Sequence, residues 1–124
     1  MAAPNIVNVA TITGKSAVVN LTDTNATAVV SNAASSGKVF KVNSLTVANV
    51  DGSVAADITV SYYSQDDIGG TATEIVKTVS VPQDSTLVVI DKNTSLYLEE
   101  DKSIGATASA ANDLKVFVSY EEIS

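Results

Sequence analysis

Apolar and polar residues alternate with a period of two through the last part of the chain. Leu114, Val116, Val118 and Tyr120 fall on one face, and Lys115, Phe117 and Ser119 on the other; this is the pattern of a strand with one buried face. Ile104, Ala106 and Ala108 alternate with Gly105, Thr107 and Ser109 in the same way. An inner face that thin requires a bulkier neighbour across the strand pair. Before it, Leu96, Tyr97 and Leu98 read as a short apolar strand. A charged turn of Glu99, Glu100 and Asp101 would join the two as a hairpin.

The same reading extends upstream. Phe40 and Val42 occupy even positions, whereas Leu45 and Val47 occupy odd ones, so a bulge at Asn43 and Ser44 is needed to keep both halves facing the core. Asp51 and Gly52 follow as a turn that can take φ > 0 cheaply. Ile58, Val60 and Tyr62 then share a strand face. Residues 64–71 are the longest polar loop candidate, with Asp66, Asp67 and two glycines, a natural place for contact. Residues 73–81 form another strand, ended by Pro82. Residues 86–90 are a continuous apolar run, suited to a strand covered on both faces. Seven or eight strands within residues 37–124, at spacings of roughly 8–12 residues, predict an all-β fold, an antiparallel β-sandwich or jelly roll. Its core is expected to include Ile58, Val60, Val79, Leu87, Val89, Leu96, Leu98, Ile104, Leu114, Val116 and Val118.

Residues 1–36 look different, being dominated by Ala, Val, Thr, Asn and Ser. Strands at 5–12 and 16–21, with Gly14 and Lys15 turning between them, would make a hairpin with little bulk. The segment therefore reads as an N-terminal arm or hairpin (1–36) beside a β-sandwich body (37–124). Ile6, Val7, Val9, Ile12, Val18, Val19 and Leu21 are its candidate interaction residues: apolar enough to need burial, and able to find it by strand addition to a neighbour.

Composition narrows the chemistry. The 124 residues contain no histidine, cysteine or tryptophan, and all seven basic residues are lysines. Histidine is the commonest acid-base group near neutral pH, and arginine the usual bidentate phosphate grip. No nucleophile has a partner, so no enzymatic activity, cofactor or metal is expected. The net charge of -7 opposes nucleic acid, whose binding depends on lysine and arginine displacing counterions. No apolar run approaches the roughly 20 residues of a membrane helix, and the N-terminus has no signal-peptide pattern. No membrane partner is expected, and the chain is placed in the cytoplasm of the cell that makes it. Asp66, Asp67, Glu99, Glu100 and Asp101 are expected to be solvated loop charges; the first four join the candidate interaction residues.

Five stretches carry a resemblance: PNIVNV at 4–9 with Gly14 and Lys15, SGKVFKVNSL at 36–45, VANVDG at 47–52, LYLEEDKSI at 96–104 and VSYEEIS at 118–124. Together they resemble small virion structural proteins of tailed phages that infect marine cyanobacteria. The resemblance implies a particle component located in the virion, with the major capsid protein or other virion proteins as partners and a homo-oligomeric state such as a trimer. It brings no catalytic residues. A capsid decoration or cement protein is the role it favours, ahead of a fibre, neck or tail-attached module with host-surface or carbohydrate-binding loops.

Overall fold

The strand expected from the 114–120 alternation runs over Leu114–Ile123, and Leu114, Val116 and Val118 are all fully buried. In the computed structural model, which describes residue 7 and residues 9–124, it is the last of nine strands. In order they are β1 (Ile12–Asn20), β2 (Thr27–Asn32), β3 (Val39–Asn49), β4 (Ala56–Gln65), β5 (Gly69–Val81), β6 (Thr86–Ile90), β7 (Leu96–Leu98), β8 (Lys102–Ala108) and β9 (Leu114–Ile123). Between β6 and β7 lies one 3-10 turn, Lys92–Thr94. Asp91 caps it by accepting from the Asn93 and Thr94 amides at 2.9 and 3.1 Å.

Two antiparallel sheets pack face to face. The first has the order β1-β9-β3-β6, with β7 also paired to β3; the second has the order β2-β8-β4-β5. β6 lies along the C-terminal half of β3, and β7 along its N-terminal part, so β6 and β7 act as one interrupted edge strand. Counted that way there are eight strands, four per sheet. Apart from the β4–β5 hairpin, every link between them passes from one sheet to the other. That order is a jelly roll, the double Greek key among the alternatives the sequence predicts.

Between the sheets, Leu45, Val47, Ile58, Val60, Leu98, Ile104, Leu114, Val116 and Val118 have no exposed surface. Each such side chain stabilises the fold by about 1.5–3 kcal/mol through burial. Val79, Leu87, Val89 and Leu96 were expected in the core and instead pack partly buried against it. The expected bulge is present: the β3–β9 register shifts between Val42 and Ser44, and Phe40, Val42, Leu45 and Val47 all face inward as a result. The thin inner face of β8 also has its bulkier neighbours: Ala108 lies opposite Ile58 and Ala106 opposite Val60 on β4.

Several expectations are corrected. Residues 12–36 are not an arm set apart from a body, and no turn forms at Gly14 and Lys15. β1 runs straight through those residues, paired with β9 from Ile12 to Asn20. β2 pairs with β8 in the opposite sheet, and Leu21, Val29 and Val30 are buried in the common core. Small side chains suffice because each strand needs to cover only one flank of a longer neighbour. Likewise β7 and β8 do not form a hairpin: the acidic turn carries the chain from one sheet to the other. β6 is open on one face, with Thr86 and Val88 exposed, because its sheet covers the core with one side only. The 64–71 loop is a tight β4–β5 turn in which Asp67 and Ile68 both have positive φ and the Gly69 amide donates to the Asp66 carbonyl at 3.0 Å. At Asp51 and Gly52 the turn needs no positive φ. The Asp51 carboxylate accepts from the Ser53 and Val54 amides at 2.8 and 3.2 Å and orders it instead.

Candidate functional site

At one end of the sandwich three connections meet: residues 33–38, the 66–68 turn and the 99–101 turn. They bring the sequence-predicted acids together. The Asp66 amide donates to Asp101 Oδ1 at 3.1 Å, and Asp66 Oδ2 accepts from the Ala34 amide at 3.4 Å. Glu100 Oε2 accepts from the Gly37 amide at 3.2 Å, while its Oε1 is buried with no hydrogen-bond partner. Asp67 and Glu99 are exposed, as expected of solvated charges. Asp66, Glu100 and Asp101 are half-buried, which corrects that expectation for them. They serve as acceptors for loop amides that no strand pairs, and so fasten the three loops to one another. Among the described residues no group of three or more Asp or Glu side chains is arranged to hold a metal ion.

The apolar N-terminal candidates do not form one surface. Leu21 is in the core and Val19 packs half-buried against it. Val9 is half-buried, Val7 and Ile12 are exposed, and Ile6 lies outside the described residues. Val18 points outward from the first sheet and belongs to a larger feature. The registers place Val18 beside Phe117, Phe117 beside Thr46, and Thr46 beside Val88. The result is a row across β1, β9, β3 and β6 in which Val18, Phe117 and Val88 are 59%, 49% and 58% exposed. Next to it runs a flat row of Ser16, Ser119 and Ser44. Phe117 and Val88 were missed as site residues. The signal was present in the sequence, since Phe117 is a large aromatic residue out of phase with the buried Val116 and Val118.

A cluster of ion pairs sits near the C-terminal end of β9. Glu122 receives Lys15 Nζ at 2.9 Å and Lys38 Nζ at 3.2 Å. Burial pushes its pKa up, but the hydrogen bonds and charges of the two lysines outweigh this and hold it below the ordinary glutamate value. At the opposite end Asp51 and Asp113 face each other. Hydrogen bonds from the Ser53 amide and hydroxyl lower Asp51. Desolvation, followed by the charge of Asp51, raises Asp113. These pairs join β1, β9 and the connecting loops, and they present no nucleophile with an adjacent base. No protein-family model matches the chain, and no curated protein matches it.

Proposed function

We propose that this chain is a non-enzymatic structural component of a phage particle, a decoration or cement protein bound in many copies to the capsid. The observation that carries the reading is the strand order β1-β9-β3-β6 over β2-β8-β4-β5, an architecture that recurs in viral capsid and lectin domains. A fold alone does not assign a function; the resemblance of the five sequence stretches to phage virion proteins supplies the direction. Short connections and outward-facing rows suit a subunit that makes modest contacts, multiplied by repetition over a lattice. Its partners on this reading are the major capsid protein and further copies of itself.

The same strand order favours one second reading, a fibre, neck or tail-attached module whose loops bind a host glycan. Electron microscopy of purified particles of the encoding phage, with antibody labelling of this chain, separates the two. Labels spread over the capsid support decoration. Labels confined to the tail or fibre support the second reading, and a chain absent from the particle overturns both.

A further inference from the structure

We propose that the outer face of the first sheet is a self-association surface, on which a second copy of this chain docks face to face. Val18, Phe117 and Val88 form an exposed apolar row on this face, whereas the row of Ile12, Ile123 and Val39 at its end is covered at Ile123 and Val39. The Val18 row lies one step along the strands from the row of Ser16, Ser119 and Ser44. A ridge beside a flat strip of small residues is complementary to a copy of itself turned end for end. With a two-fold axis between the copies, perpendicular to the strands at the level of Val118, Phe117 of each copy lies over Ser119 of the other. Val18 lies over Ser16 by the same operation.

The charges on the face fit this axis as well. Lys115 and Glu121 both project from β9 on the outward side, Lys115 beyond Phe117 and Glu121 beyond Ser119. The axis that sets Phe117 over Ser119 also sets Lys115 of each copy opposite Glu121 of the other. The ion pairs formed among the described residues are those of Glu122 with Lys15 and Lys38, so Lys115 and Glu121 are outside them; Glu121 Oε1 accepts from Asn43 Nδ2 at 3.2 Å, which leaves its Oε2 to meet Lys115 of the other copy. A self-complementary surface of this kind is what an isologous dimer requires. Its area sets the strength. Four strands about 4.8 Å apart and seven residues at about 3.3 Å each give roughly 450 Å² per copy. The pair therefore covers roughly 900 Å², the size of a weak, exchanging contact rather than a permanent dimer. This inference stands on the sheet face and does not depend on the virion reading.

Sedimentation velocity over a concentration series, at low and high salt, tests it. The wild-type chain should pass from monomer to dimer with rising concentration. Phe117→Lys should weaken the dimer at least tenfold. K115E and E121K should each weaken it several-fold, since each sets like charges against one another, whereas the K115E/E121K double variant should recover to near the wild-type affinity. Far-ultraviolet circular dichroism checks that each variant is folded, and Val88→Ser replaces Phe117→Lys if that variant is not. A chain that stays monomeric throughout overturns the proposal. So does a dimer indifferent to loss of the apolar row, or a double variant no better than the single ones.

Discussion

Asn32 Nδ2 donates to the Leu98 carbonyl at 3.0 Å and so ties β2 of one sheet to β7 of the other. It also donates to the Lys38 carbonyl at 2.9 Å, while its Oδ1 accepts from Ser36 Oγ at 2.6 Å. Asn49 repeats the device at the opposite end: Nδ2 donates to the Val54 and Val81 carbonyls, and Oδ1 accepts from the Asp51 amide. Each end of the sandwich is thus closed by one buried asparagine that connects the sheets. Loops cannot bury their backbone without such partners.

Asn32→Ala should therefore destabilise the fold by about 2–4 kcal/mol, because it leaves two carbonyls and a hydroxyl short of partners in a buried site. Asn32→Asp should cost more near neutral pH than in acid, since an ionised carboxylate would face the Leu98 and Lys38 carbonyls. Denaturant unfolding of both variants at two pH values checks this. A change of less than half a kcal/mol in Asn32→Ala would show that the bonds are replaced by water.

Gly105 marks the place where β8 passes beneath Ile68 and Tyr63, and any Cβ there meets Ile68 Cγ2 closer than van der Waals contact. Gly105→Ala should cost about 1–3 kcal/mol as the turn is pushed off the sheet. The 66–68 turn should loosen with it, because the Ile68 amide donates to Ser103 Oγ and the Asp67 amide to Ser31 Oγ. Hydrogen exchange at the Asp67 and Ile68 amides reads that loosening directly. Unchanged protection there would refute it.

Strand positions were largely legible because one buried face imposes a period of two. The parity change at Asn43 located a bulge for the same reason. Pairing was not legible: β1 with β9 and β2 with β8 join residues from opposite ends of the chain, and nothing local to Ala17 or Val30 encodes those partners. The small side chains of residues 12–36 suggest an arm only if bulk measures a core. Leu21, Val29 and Val30 are enough to close one flank. The half-burial of Glu100 was likewise hidden, since it depends on the Gly37 amide 63 positions away.

Deleting residues 2–30 should abolish cooperative unfolding. The truncation removes β1 and most of β2, and so exposes the flanks of β9 and β8 together with the inward faces of Val116, Val118 and Ile104. Thermal denaturation followed by circular dichroism is the measurement. A sharp transition in the truncated chain would restore the view of this segment as a separable arm.

Glu122 and Asp113 should give the stability opposite dependences on pH. Glu122 is held below its ordinary 4.5 by Lys15 and Lys38 against the upward push of burial. Its contribution is therefore full above the unfolded value and lost as pH falls through the lower folded one. Asp113 is raised above its ordinary 3.8, first by desolvation and then by the charge and hydrogen bond of Asp51. Its contribution is present below the unfolded value and lost as pH rises through the higher folded one. Glu122→Gln should thus lower Tm near neutral pH and converge on the wild-type chain in acid, with a smaller gap at high salt because both lysines are partly exposed. Asp113→Asn should raise Tm near neutral pH, by removing the repulsion with Asp51, and lose that advantage in acid. Melting curves from about pH 3 to pH 8 compare the three chains across both titrations. An Asp113→Asn chain that melts below wild type at neutral pH would mean that the ionised carboxylate, rather than its neutral form, holds the 109–113 loop to the Asp51 turn.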